Sequence, residues 1–313
     1  MKKLLVLFIA TFFLTGCVKI INDDLKAKES KLVLNAAISP DSTFTVNLSR
    51  TFNIFDDESD KNLPFIDGAK VRLFEDGAYV FDLENRSAGY YSKEGFYPET
   101  NKEYMVDAAF DGYKTIESKS AIPKIVPIAD FDTLIVRLTN DPYYGDQTQY
   151  VGLLTYQDPP GVSNQYQLAC KIGIKDDAGT INWDENSLYV PDVDDSFYDR
   201  SWGALLWSDK YSDGKEVEIR FVFYSEYPEF DEGLRETETV YFMFYFQTIN
   251  QEYYTYLKSY SRYLESGGGS DPFSEPVVIY SNVKNGYGIF AGFDQDTTAA
   301  KILIYHPSKG GRK

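Results

Sequence analysis

Apolar residues recur at every second position along much of this chain, and that period sets the class of fold open to it. Leu32, Leu34, Ala36 and Ile38 alternate with their neighbours, and Phe44, Val46 and Leu48 do so again after a Pro40-Asp41-Ser42 turn. Successive side chains of a strand point to opposite faces, so each such run has one buried and one wet face. Ala69, Val71 and Leu73 continue the pattern up to Glu75-Asp76-Gly77, whose Asp-Gly pair signals a hairpin, with Tyr79 to Leu83 as the returning strand. Tyr166, Leu168, Cys170, Ile172 and Ile174 form a later series, as do Val217, Ile219, Phe221 and Phe223. Thr239 to Thr248 (TVYFMFYFQT) is apolar on both faces, which suits a central strand. One segment departs from the period. Tyr253, Tyr256, Leu257, Tyr260 and Leu264 recur at helical spacing, predicting an amphipathic helix over residues 251–265 that Gly267-Gly268-Gly269 ends.

The expected fold is therefore mainly β. Pro123 to Pro127 (PKIVP) punctuates the chain. Residues 30–125 before it read as an N-terminal Ig-like β-sandwich of seven strands. Residues 126–313 read as a second antiparallel β domain carrying the one helix. Its strands begin around Phe131, Leu134, Val136 and Leu138, and it closes with three short strands, Val277 to Tyr280, Gly288 to Phe293 and Lys301 to Tyr305. No internal repeat of fixed period is present.

The N-terminus indicates a compartment. Lys2 and Lys3 precede an apolar run from Leu4 to Leu14, shorter than the roughly 20 residues a membrane-spanning helix needs, so it reads as a secretory signal. The run ends Leu14-Thr15-Gly16-Cys17, which resembles a bacterial lipobox. Residues 1–16 are then a lipoprotein signal peptide, and residues 17–29 a lipidated N-terminus and tether. Cys17 is the lipidation site and the link to a membrane, since several buried acyl chains at about 0.8 kcal/mol per CH₂ anchor a protein durably. Loss of Lys2 and Lys3 takes the formal net charge from −17 to −19. Asp23 and Asp24 resemble surface-export signals of Bacteroidota lipoproteins, leaving the periplasmic and cell-surface faces both open.

Charge and sulfur counts narrow the chemistry. With 48 Asp and Glu against 31 Lys and Arg, the chain lacks the basic footprint of a nucleic-acid binder. Two cysteines cannot build a disulfide scaffold, and Cys170 lies on the apolar face of its strand, as a small core hydrophobe does. His306, the lone histidine, ends a strand with no G-x-S-x-G motif beside it. No cofactor and no catalytic residue are expected. The acidic loops around Asp56, Asp57, Glu58 and Asp60, and around Asp192, Asp194, Asp195 and Asp199, could supply oxygen ligands to Ca²⁺, though neither matches the EF-hand series. Paired carboxylates for hydrolysis of a glycan or peptide stay open, because such pairs form in space rather than in sequence.

Aromatics are 16% of the chain, with 26 Tyr and 22 Phe, and many of the tyrosines face the core from the strands. Several stand in segments between strands: Tyr143, Tyr144, Tyr189, Tyr198, Trp202 and Trp207. Loop aromatics beside carboxylates suit a small glycan or peptide ligand, or a protein partner, because rings stack on apolar faces while carboxylates accept hydrogen bonds.

Two stretches also carry a family resemblance. The Asp-Gly hairpin, Gly89-Tyr90-Tyr91, Glu103-Tyr104-Met105-Val106 and Phe110-Asp111-Gly112-Tyr113 resemble a transthyretin-like or carboxypeptidase-regulatory sandwich. Asp271-Pro272-Phe273-Ser274-Glu275-Pro276, Tyr280-Ser281-Asn282-Val283 and Asn285-Gly286-Tyr287-Gly288-Ile289-Phe290-Ala291-Gly292 follow the Tyr-rich helix. With the lipobox, they resemble the Bacteroidota outer-membrane lipoproteins grouped as domain-of-unknown-function family 4249. That resemblance implies an outer-membrane location and an accessory role beside a TonB-dependent nutrient transporter, and it carries no activity. A carboxylate-dependent hydrolase and a purely structural envelope subunit are the alternatives. The Asn and Gly positions of the C-terminal motif suit tight turns and close backbone approach.

Overall fold

The computed structural model describes residues 29–52, 64–141, 145–176, 178–190, 198–201, 203–226, 237–267 and 276–305. Strands β1 (Leu32–Ile38) and β2 (Thr45–Arg50) are followed by β3 (Lys70–Glu75) and β4 (Ala78–Asp82). Asp76 and Gly77 turn between β3 and β4 with φ of 48° and 82°, the two positive values that a type I′ hairpin requires. β5 (Glu84–Ser87), β6 (Tyr90–Ser92), β7 (Glu103–Ala109) and β8 (Ile116–Ala121) complete the first half. Sheet β4-β3-β7-β8 packs against the β1-β2-β6-β5 portion of a second sheet. Leu34, Val46, Leu48 and Tyr91 meet Val71, Leu73, Tyr104 and Val106 across the interface, all essentially inaccessible. This half is a β-sandwich of eight strands rather than seven, because the chain between residues 82 and 92 doubles back in the short β5–β6 hairpin.

The second half contains β9 (Ile128–Asp141), β10 (Gly145–Gln157), β11 (Gln165–Lys175), β12 (Ile181–Asn186), β13 (Asp199–Ser201) and β14 (Ala204–Ser208). β15 (Glu216–Glu226), β16 (Thr237–Ile249), helix α1 (Gln251–Glu265) and β17 (Tyr287–Tyr305) follow. β16 is central, as its two apolar faces predict, lying between β11 and β17. Its Phe242, Phe244 and Phe246 point into a core closed by the three-stranded sheet β15-β10-β9. Phe223 approaches Phe242 at 4.8 Å and Phe244 at 5.2 Å between ring centroids, and Phe131 reaches Phe244 at 5.1 Å, all in the inclined geometries that aromatic quadrupoles favour.

β17 joins the halves. Its first residues pair in parallel with β1, from Val33 opposite Tyr287 to Ile38 opposite Gly292. The rest pairs antiparallel with β16, from Ile249 opposite Phe293 to Thr237 opposite Tyr305. Both halves thereby share one ten-stranded sheet. A sandwich confined to residues 30–125 is therefore incomplete: Val283 and Phe290 belong to its core. The physical reason is the parallel edge of β1, which no local hairpin can supply. Of the three short closing strands read from sequence, the last two are one 19-residue strand, and Val277 to Tyr280 carry no strand.

Glycines make this junction close. A Cβ on Gly288, whose φ is 110°, would stand 2.0 Å from the Leu34 carbonyl oxygen, and one on Gly292 would stand 2.3 Å from that of Ala121. Asn282 pairs like a strand residue, donating from Nδ2 to the Phe290 carbonyl at 2.7 Å and accepting from the Phe290 amide at 2.9 Å. Helix α1 spans the residues its periodicity predicts. Asn250 caps it by accepting from the Tyr253 amide at 3.0 Å, and the same side chain donates to Ser120 Oγ at 2.9 Å, pinning the helix start to the first sandwich. Gly267, at φ 89°, follows the last turn.

Gly288→Ala is expected to destabilise the protein by at least about 2 kcal/mol, through positive φ and backbone collision together. Gly77→Ala, where the space is open, should cost only about 1 kcal/mol. Urea denaturation midpoints compare the two.

Candidate functional site

Helix α1 rests over the outward face of the ten-stranded sheet, against β17, β13 and β11. Period-2 alternation dictates what lies beneath it. Leu34, Val46 and Leu168 point into the cores, so Asn35, Asn47 and Gln167 beside them point out. Between helix and sheet is an open groove of about 680 Å³. Tyr253, Tyr256, Leu257 and Tyr260 form its roof from one helix face, and Asn35, Asn47, Tyr90, Gln167 and Ile289 form its floor. The floor runs from β11 across β16, β17, β1 and β2 to β6. Six strands at about 4.8 Å spacing make it about 24 Å long.

The roof is a tyrosine array. Tyr256 and Tyr260 lie 4° from parallel with centroids 5.9 Å apart, and Tyr260 is 21° from Tyr263. Burial pushes the phenols of Tyr253 and Tyr256 above their usual range, so both stay neutral donors. Lys258 Nζ holds Asp199 Oδ2 of β13 at 2.7 Å, tying the helix to the sheet edge. On the floor, Gln167 Oε1 is buried with no hydrogen-bond partner among the described residues. Gln247, opposite it on β16, instead donates from Nε2 to Gln295 Oε1 at 3.0 Å. The carboxylate lining the groove is Glu185, which pairs with Lys171 at 3.4 Å.

The loop aromatics singled out from sequence do not form this site. Trp207 is a core residue, 4% exposed. Its strand β14 is paired on both sides, and its indole lies 13° from the plane of Phe246 while Nε1 donates to the Tyr156 hydroxyl at 2.9 Å. A surface-contact role for Trp207 is therefore corrected to core packing. Tyr198 is half-buried and meets Trp207 edge-on at 5.7 Å. Tyr189 is exposed and borders a separate cavity of about 730 Å³ with Gln147 and Gln149. Tyr143, Tyr144, Trp202, Cys17 and His306 lie outside the described residues, as do Asp56, Asp57, Glu58, Asp60, Asp192, Asp194 and Asp195. Asp199 is occupied by Lys258. The groove tyrosines were read from sequence only as a helix's apolar face. The signal lay in residue type: a helix that packs dry carries Leu, whereas phenols at each turn suit a half-wet face.

Cys170 is 1% exposed, and burial pushes its thiol up to about 12, which suits a core residue and not a nucleophile. A carboxylate cluster absent from the sequence reading brings Asp158, Asp209 and Asp213 oxygens within 4.8 Å of one another. Each already accepts a hydrogen bond. Asp158 takes the Tyr166 hydroxyl and the Gly214 amide, Asp209 the Asn164 amide at 2.6 Å, and Asp213 the Gly161 amide at 2.6 Å. The cluster thus ties the turn after β10 to the turn before β15. Burial, with the neighbouring Asp158 and Asp213 charges, raises the Asp209 carboxyl.

A family model described as domain of unknown function (DUF4249) matches residues 18–299. The chain belongs to this family. Comparison of this DUF4249 member with curated proteins finds no match. Among solved structures it is similar to a putative membrane anchored protein from Corynebacterium diphtheriae, at 10% identity and a TM-score of 0.21. That likeness covers 71% of this chain and 55% of the other, so the chain spans about half that protein's length. An enterococcal surface protein, partial N-terminal region, matches at 12% identity and a TM-score of 0.17, over 84% of this chain and 93% of its own. Likenesses at these scores bear no weight in the argument. Among the described residues, no helix is long and apolar enough to cross a membrane, which says nothing of strands.

Trp207→Ala should lower stability by about 3–5 kcal/mol in urea melts, as loss of a buried indole does. For Asp209, the folded state holds the proton more tightly than the unfolded chain. That stability is present at low pH and lost as pH rises through the raised value. Asp209→Asn is therefore expected to flatten the fall in the urea midpoint as pH rises above the ordinary aspartate range.

Proposed function

We propose that this DUF4249 member is a lipid-anchored binding lipoprotein of the outer membrane, working beside a TonB-dependent nutrient transporter, without catalysis of its own. The observation that carries the binding role is the groove: tyrosines over side-chain amides, held open where a packed helix would exclude solvent. Anchoring rests on the Leu14-Thr15-Gly16-Cys17 sequence, and the family match begins at residue 18, directly after Cys17. The transporter partner rests on the resemblance of the family to such accessory lipoproteins. A hydrolase would need two carboxylates flanking the scissile bond, and the groove lining supplies Glu185.

Cys17→Ser should move the protein from the membrane to the soluble fraction on cell fractionation, and retention in the membrane would sink the anchor. Detergent-solubilised wild-type protein should co-purify with an outer-membrane transporter. Recovery of the lipoprotein alone would instead favour a structural envelope subunit.

A further inference from the structure

We infer that the groove beneath α1 takes a neutral, linear oligosaccharide. This rests on the reading of the protein as a binding component and adds the class of ligand.

Charge removes anionic ligands first. Among the described residues the groove lining holds no lysine or arginine, and Glu185 stands there in a chain of formal net charge −17. Lys171 is taken by Glu185 and lies over the Tyr245 ring, and Lys258 on the helix is taken by Asp199. A phosphate, sulfate or uronate would enter with no cation to meet it.

Polarity removes acyl chains next. Asn35, Asn47 and Gln167 project from the floor, and covering such amides with alkyl groups costs about 1–3 kcal/mol each. Backbone pairing then counts against an extended peptide. Floor strands β1, β2, β11 and β17 have neighbours on both sides, and β12, which carries Glu185 and pairs with β11 alone among the described residues, leaves an edge at one end of the groove and none along its floor for a peptide to extend.

A neutral sugar fits each remaining feature. Its apolar C–H face can lie on the Tyr256 and Tyr260 rings, which repeat along the helix on the scale of a pyranose unit. Its hydroxyls both donate and accept, as the floor amides do. A floor crossing six strands, about 24 Å, has room for several units in a row and favours a linear chain over a monosaccharide.

The test is isothermal titration of the detergent-solubilised lipidated protein. The probes are neutral hexasaccharides of glucose, mannose, galactose and N-acetylglucosamine, a uronic-acid hexasaccharide, and an uncharged hexapeptide. A neutral hexasaccharide should bind, with Tyr260→Ala and Gln167→Ala each weakening it at least tenfold. Tyr260→Phe, which keeps the ring, should lose less. Tyr189→Ala, in the other cavity, should change nothing, and thermal melts by circular dichroism should show each variant folded. Tighter binding of the uronic-acid chain or the peptide, lost in Tyr260→Ala, overturns the ligand class and leaves the binding role standing. Saccharide binding lost in Tyr189→Ala but not in Tyr260→Ala overturns the location. No binding by protein that co-purifies with a transporter overturns the inference alone, and no binding without co-purification overturns both.

Discussion

Everything else in this molecule depends on the double pairing of β17. One edge of its first residues closes the first sandwich by parallel pairing with β1, while its later residues line the second core beside β16. Parallel pairing has no local solution, so the first sandwich waits on residues some 250 positions later in the chain. The C-terminal Asn and Gly motif makes that contact close enough to hold. Gly288 and Gly292 clear the space for the Leu34 and Ala121 carbonyls, and Asn282 answers both backbone groups of Phe290. The motif is architectural in its geometry, with the Asn282 and Asn285 amides bonded to backbone.

That seam also creates the groove. Merging the two sheets produces one wide outward face, and Asn250 fixes where α1 begins over it by binding both the helix amide and Ser120. Two cores and their closing sheets consume the large phenylalanines. What faces outward is a floor of amides and alanines under a helix whose tyrosines are half-buried. Tyrosine is suited to that position, since its ring contacts apolar surface while its hydroxyl reaches water or a ligand.

The legible parts of the fold were those set by local periodicity. The Asp76-Gly77 hairpin, the central position of β16, the inward face of Cys170 and the span of α1 each follow from spacing of two or near 3.6. The site was much less legible. Trp207 stands near acidic residues in sequence, yet β14 carries it into the core between β13 and β11. Asp158, Asp209 and Asp213 meet although some fifty residues separate the first two, and nothing in either turn announces the other.

By itself the sequence determined the β class, the helix with its stop, the lipobox pattern at Cys17 and the acidic balance. All of these are local or compositional properties, written within one element or summed over the chain. Only the tertiary structure decided that the first sandwich borrows its last strand from the C-terminus, that Trp207 is core, and that Asn35, Asn47 and Gln167 face Tyr256 and Tyr260 across one groove. Those facts turn on which strands become neighbours. Alternation tells a residue which side of its own strand it occupies, but strand order decides what stands on the other side.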